Sequence, residues 1–203
     1  MHKEILNKDQ IELLPLLREF KREFYLVGGT AIALYIGHRR SIDFDLFKSK
    51  SFNAKKIIAK LDMHLLPYKV TRNVSEQLNL IISDVKFTFF EYPFPVKPEI
   101  KFEEYIKIPS LLDLAAMKAY ALGRRSKWKD YVDLYFILKN HYSVKQIAQR
   151  ADEIFGQLFS EKLFRAQLCF FNDIDYAEEV EYLIQVVSDS EVKNFLTEQA
   201  TDI

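Results

Sequence analysis

Two short runs, Val27-Gly28-Gly29-Thr30-Ala31 and Asp43-Phe44-Asp45, constrain the fold more than any other part of the chain. The strand-like residues Phe24 to Val27 break into two glycines and then into a helical run, Ala31 to Ile36. Such a junction leaves free backbone N–H groups at a helix start, a position that suits phosphate oxygens. Ile42 to Phe47 reads as a short buried strand, and side chains two apart on a strand share a face, so Asp43 and Asp45 project together. Ile42, Phe44 and Leu46 then form an apolar opposite face. Two adjacent carboxylates repel unless a cation sits between them. Hard oxygen ligands favour Mg2+ or Mn2+, which also bind triphosphates, so one ion would join the acidic strand to phosphates cradled by the glycines. Each motif alone has a plainer reading, the glycines as a tight turn and the Asp-x-Asp as a solvated strand edge or helix cap. The combination favours nucleotide and metal.

Gly28-Gly29-Thr30, Gly37-His38-Arg39, Ser41 and Asp43-Phe44-Asp45 resemble the nucleotidyltransferase AbiEii/AbiGii toxin family, part of the polymerase-β-like nucleotidyltransferase superfamily. Asp113-Leu114-Ala115-Ala116-Met117-Lys118 and Lys129-Asp130-x-x-Asp133-Leu134-Tyr135 are similar to the family's later motifs, in the same order, so the likeness covers roughly residues 20 to 140. It implies transfer of a nucleoside monophosphate from an NTP to an acceptor hydroxyl, on an RNA end such as tRNA or on a protein, with Mg2+ or Mn2+. It also implies the toxin of a toxin–antitoxin pair, with a cognate antitoxin protein as partner. Carried onto this sequence, Asp43 and Asp45 hold metal, while Gly28, Gly29 and the Thr30 hydroxyl hold the terminal phosphates, with Arg39 or Arg40 nearby. Lys118 contacts the nucleotide from the helical side, and Asp130 activates the acceptor or positions Lys118. The plainer alternatives make Lys118 an exposed helix residue and Asp130 with Asp133 a cap or salt bridge for the basic turn before them. His38 reads as a turn residue, and Trp128 as packing between helices.

One departure from the superfamily pattern concerns a third carboxylate on an adjoining strand. In Lys86-Phe87-Thr88-Phe89-Phe90 that position carries Thr88, and strand alternation puts Glu91 on the opposite face. The alternatives to transfer are therefore a catalytically silent nucleotide- or partner-binding module, and a metal-dependent phosphohydrolase using water as acceptor.

The remaining sequence indicates an α+β chain, a mixed sheet with flanking helices followed by a C-terminal helical bundle. At 203 residues and 49% apolar content the chain can bury a substantial core, and seventeen Phe and eleven Tyr against five Gly argue for dense packing. A helix is expected over Lys8 to Lys21, with Pro15 kinking or starting it, and another over Asn53 to Leu65 with Ile57, Ile58 and Leu61 inward. Strands follow at Tyr68 to Asn73, Gln77 to Ile82 and Val85 to Tyr92, the last two joined by Ser83-Asp84. Pro93, Pro95 and Pro98 mark an extended crossing, dividing a sheet core (1–98) from a mainly helical part (99–203) that completes the cleft. Ile106 to Ile108 is expected to pair briefly with the sheet. Helices should then cover Ser110 to Leu122, Lys127 to Leu138, Ser143 to Phe155 and Leu158 to Phe170, with acidic helical turns toward the end.

Cys169, the only cysteine, excludes an internal disulfide, and its neighbours Phe170 and Phe171 suggest a buried thiol. The absence of a membrane-length apolar stretch, and the order of Met1-His2-Lys3-Glu4, make the cytoplasm the expected location and a membrane partner unexpected. Formal net charge is zero, yet residues 114–129 carry five basic residues and no acid, whereas residues 172–203 carry nine acids and only Lys193 as a base. The basic segment suits a polyphosphate or nucleic-acid backbone, and the acidic tail suits solvent or a basic partner.

Overall fold

Alternation of apolar and polar side chains along adjacent strands gives the central sheet two unlike faces. The structure, a computed structural model, describes residues 1–122, 124–125 and 127–202. Strands β1 (Tyr25–Val27), β2 (Phe44–Lys48), β3 (Tyr68–Val74), β4 (Gln77–Ile82) and β5 (Val85–Glu91) form one sheet in the order β1-β2-β5-β4-β3. The β2–β5 pair is parallel and the other pairs are antiparallel, the mixed sheet expected from the sequence. Across the sheet, Phe44 aligns with Phe87 and Leu80, and Leu46 with Phe89 and Leu78; all six are fully buried. The other face carries a polar row, Asp45, Thr88, Asn79 and Arg72, in register from β2 to the edge strand β3. Ser83 and Asp84 close the β4–β5 hairpin with φ of 48° and 62°, the positive pair that a two-residue turn needs to match strand twist.

The helices α1 (Lys8–Glu12) and α2 (Leu14–Arg18) replace the single N-terminal helix expected over Lys8 to Lys21. The break falls at Leu13 because Pro15 lies in the first turn of α2, where its missing N–H costs nothing and its ring cannot clash with an earlier turn. Beyond α2, Phe20 and Phe24 place their rings 4.9 and 5.2 Å from Phe89 on the apolar face of the sheet. After α3 (Gly28–Ile36), α4 (Ala54–Met63) starts at the Asn53 cap and buries Ile57 and Leu61 in the same cluster.

Ile106–Ile108 (β7) does not join the main sheet as expected but pairs with Ile100–Phe102 (β6) in a separate two-stranded ribbon. A partner three residues away is reached at lower closure entropy than a strand of the distant sheet. The helical part consists of α5 (Leu111–Leu122), α6 (Trp128–Asn140), α7 (Val144–Phe155), α8 (Glu161–Leu168) and α9 (Asp189–Thr201). Cys169 is exposed, contrary to expectation: the buried stripe of α8 is Phe164 and Leu168, and the cysteine falls in the turn beyond it. Trp128 is buried and stacks near Tyr131, as expected of a packing residue. Sheet and helices share one apolar cluster running from Ile5 to Ala200. Among the described residues, no helix is long and apolar enough to cross a membrane.

Truncating Phe89 to Ala should lower unfolding free energy by about 3–5 kcal/mol, because a fully buried ring leaves a cavity between Phe20 and Phe24. Ile42→Ala, at a side chain 46% exposed, should stay within about 0.5 kcal/mol. Urea titration of the two variants checks the contrast.

Candidate active site

The glycine junction and the acidic strand interlock. Helix α3 begins at Gly28 itself rather than at Ala31, and its N-cap, Val27, makes no side-chain cap, so no side chain takes the first-turn N–H groups. Val27 pairs with Asp45 across the antiparallel β1–β2 ladder, which sets the turn against the carboxylate. A Cβ on Gly28 would stand 2.2 Å from Asp45 Oδ2, and the residue has φ +74°, so only glycine allows this approach. Gly29 is held from behind, where a Cβ would meet Arg39 Nη2 at 2.6 Å.

Strand β2 starts at Phe44, two residues later than the sequence suggests, and Ile42 is exposed rather than packed. Side chains take the place of the ladder here: Gln10 Nε2 donates to the Ser41 carbonyl at 2.9 Å, and the Thr30 hydroxyl donates to the Asp43 carbonyl at 2.5 Å. Thr30 is therefore buried and committed to shaping the 41–43 segment, not free to hold a phosphate.

Asp43 and Asp45 lack an ion-pair partner within 4.0 Å among the described residues. Burial pushes both carboxyl groups above their ordinary range, and the Asp43 charge pushes Asp45 further, with Lys86 opposing at both and Arg125 and Thr88 opposing at Asp45. Two half-buried, like-charged carboxylates without an ion-pair partner fit a divalent cation. Thr88 sits opposite Asp45 in the β2–β5 register, while Glu91 aligns with Lys48 at the far end of the strand, where it still lines the same cleft. No cluster of three or more metal-capable His, Cys, Asp or Glu occurs among the described residues. The described residues thus offer two carboxylates and no third acid to such an ion.

Behind the turn lies a buried ionic cluster. The Asp133 carboxylate accepts from Arg39 Nε at 2.7 Å and Nη2 at 2.9 Å, from His38 Nε2 at 2.8 Å, and from Lys118 Nζ at 2.8 Å. Burial alone would raise the Asp133 carboxyl, but the Arg39 guanidinium and Lys118 ammonium hold it well below the usual carboxylate range. His38 is driven down by burial, which keeps it neutral with Nε2–H donating and Nδ1 unpartnered. Arg39 Nη1 donates to the Arg40 carbonyl, and the residue is buried and outside the cleft lining, where it braces the glycine turn. Lys118 bridges Asp133 to Asp130 Oδ1, 2.7 Å away, and is buried rather than an exposed helix residue. Both Asp130 oxygens are engaged, Oδ1 by Lys118 and Oδ2 by Arg125 Nε at 2.9 Å, which suits positioning and not proton abstraction. The sequence placed His38 in a plain turn, and only its place beside Arg39 in a motif hinted otherwise.

Asp45 opens onto a cleft of about 530 Å³. Gly28, Asp45, Lys86 and Thr88 line its sheet side, and Lys118, Arg124 and Arg125 its helical side. Lys86 was absent from the sequence-derived site, although alternation with Thr88 puts it on the same face. The apolar end carries Phe90, Tyr92, Phe94 and Tyr120, with Tyr120 stacked on Phe155 at 4.0 Å and Arg124 lying 3.5 Å over the same ring.

A mixed sheet with an uncapped glycine turn, paired aspartates and a helical wall defines a nucleotidyltransferase fold, and known proteins agree. The profile of the family described as nucleotidyl transferase AbiEii toxin, Type IV TA system, matches residues 16–105 and 93–198, and the chain belongs to that family. It is 31% identical over 191 residues to an uncharacterized protein of Aquifex aeolicus (strain VF5), covering 87% of this chain and 92% of that one. Among solved structures it is similar to the nucleotidyltransferase toxin MenT4 of Mycobacterium tuberculosis H37Rv, with a TM-score of 0.59, 13% identity and coverage of 96% and 82%. JHP933 from Helicobacter pylori gives a TM-score of 0.57 at 18% identity, covering 96% of this chain and 91% of that one. At these identities the structural likeness is one of fold.

Replacing Asp133 by Asn should cost about 3–5 kcal/mol at neutral pH, because Arg39 and Lys118 lose their buried counter-charge. Since the folded carboxyl is depressed, its stabilisation is present above the unfolded value of about 3.9 and is lost as pH falls toward the folded one. Denaturant titrations at pH 7 and pH 3 should therefore show the gap between wild type and variant narrowing in acid.

Proposed function

We propose that this chain transfers a nucleoside monophosphate from an NTP to an acceptor hydroxyl, on an RNA end or a protein, with Mg2+ or Mn2+. The observation that carries the reading is the interlock of Gly28 with Asp45, which puts uncapped helix N–H groups beside an unpaired carboxylate in a cationic cleft. Residues 1–98 act as one wall and 99–203 as the other. The first turn of α3, at Gly28 and Gly29, receives the terminal phosphates, and Asp43 and Asp45 hold the ion. A divalent ion there neutralises charge on the phosphates. Lys118, fixed between Asp130 and Asp133, and Arg125, fixed by Asp130, present positive charge to the cleft from the helical side. The acceptor oxygen forms the new bond to the α-phosphorus while the bond to pyrophosphate breaks and the hydroxyl proton passes to water, a displacement governed by alignment and charge more than by a strong base. This suits a site whose Asp130 is tied up in ion pairs. The family setting supports a toxin role with an antitoxin partner, in the cytoplasm.

Thr88 at the third-carboxylate position favours a second reading, a nucleotide-binding module without turnover. Incubation of each α-labelled triphosphate with Mg2+ and total RNA or protein separates the two. Label should move to an acceptor, and Asp43→Ala should lower transfer at least about 100-fold, as loss of several kcal/mol of metal-borne charge stabilisation requires. Unchanged transfer in that variant would remove Asp43 from the site; triphosphate binding without any transfer would select the second reading.

A further inference from the structure

The two oppositely charged stretches of the chain meet beside the site. Residues 172–188 contain five acids and no basic residue. This stretch is anchored at one end by the Lys127–Asp175 bridge and the bond from Trp128 N to the Asp175 carbonyl at 3.1 Å. At the other end Arg40 N donates to the Glu181 carbonyl at 2.9 Å, and Leu183 N to the His38 carbonyl at 3.0 Å. Between the anchors, residues 176–180 make no backbone–backbone hydrogen bond among the described residues. Tyr176 lies against Trp128 and Val180 packs on the core, and the charged hold on their middle is Glu178, whose Oε1 pairs with Lys127 Nζ and whose Oε2 lies 3.4 Å from Lys129 Nζ. The pairs are partly solvated, with side-chain exposures of 41% for Lys127, 23% for Lys129 and 48% for Glu178. Exposed ion pairs of this kind are weak and exchangeable. All three groups lie within electrostatic range of Asp43.

A carboxylate clamped by two lysines at the start of α6 occupies the kind of position a phosphate oxygen takes. Cations also continue on the far side of the aspartates: Lys86 lines the cleft, and the polar row from Asp45 through Thr88 and Asn79 ends at exposed Arg72 on the edge strand. A polyanionic strand with its end at Asp45 would find positive charge on both sides, and the side-chain amides of Gln77 and Asn79 offer hydrogen bonds to bases. We propose that Lys127 and Lys129 form a backbone-phosphate position for a single-stranded RNA acceptor, and that Glu178 fills it in the free protein until the acceptor displaces the 176–180 loop. The proposal rests on the transfer reading and names its acceptor class.

The test uses the full chain and a fluorescein-labelled 20-nucleotide single-stranded RNA of mixed sequence, followed by anisotropy at several salt concentrations. Glu178→Gln should tighten binding roughly threefold or more at low salt. The double variant Lys127→Gln/Lys129→Gln should weaken it and flatten the dependence of log K on log salt by roughly one unit. Adding Glu178→Gln to that double variant should then change nothing, and Glu178→Ala serves as the alternative if the Gln variant melts early. Unchanged or weaker binding in both Glu178 variants overturns the displaceable carboxylate. Displacement of the RNA by polyglutamate at equal charge overturns nucleic acid in favour of an acidic protein. Calorimetry with NTP and Mg2+ on the same samples keeps the two readings apart. NTP binding without the RNA effects sinks this proposal alone, and the RNA effects without NTP binding sink the transfer reading alone.

Discussion

The carboxylate of Asp133 is the point on which the architecture of the site depends. It lies on α6, yet it takes hydrogen bonds from His38 and Arg39 of the loop after α3 and from Lys118 of α5. Three separate pieces of chain are thereby fixed relative to one another by one ion with all its lone pairs used. Removed from water, such a charge is tolerable only because its partners are complete. The consequence reaches the cleft from two directions: Arg39 stiffens the glycine turn from behind, and Lys118 is aimed from the opposite wall.

Much of this was legible in the chain. The Gly28-Gly29 junction and the place of Asp45 on its strand follow from local rules, since helix starts and strand alternation depend on near neighbours, whereas Asp43 lies just before the strand expected to carry it. The Thr88 substitution was visible for the same reason. The Asp133 cluster was not, because His38 and Arg39 stand 95 and 94 residues away from it in sequence and no local pattern encodes that pairing. The same ignorance of distant contacts made Arg39 and Thr30 look like phosphate ligands, although both are buried and hydrogen-bonded to other parts of the chain. Ile42 and Cys169 failed for a different reason. Each sits one or two residues outside the element that was expected to bury it, and element ends are set by capping and side-chain bonds that a hydrophobic pattern does not register.

The charge asymmetry between residues 114–129 and 172–203 finds its explanation inside the molecule. The acidic stretch crosses the basic turn and pairs with it through Glu178, while Glu181 pairs with Arg40. A neutral sum over the whole chain thus conceals an internal balance in which one segment tempers the field of another. The cleft keeps Lys86, Lys118, Arg124 and Arg125 regardless, so the tempering falls at its rim.

The contact between Gly28 and the Asp45 side chain carries an implication for descent. A β-carbon at position 28 has nowhere to go while an acid of that length occupies position 45, and the left-handed backbone forbids the change on its own account. Position 28 is therefore closed to drift for as long as the aspartate remains, whereas loss of the aspartate removes one of the two barriers at once. Lineages that abandon the chemistry should show the acid decaying first and the glycine following, an order of erosion written into the geometry of a single turn.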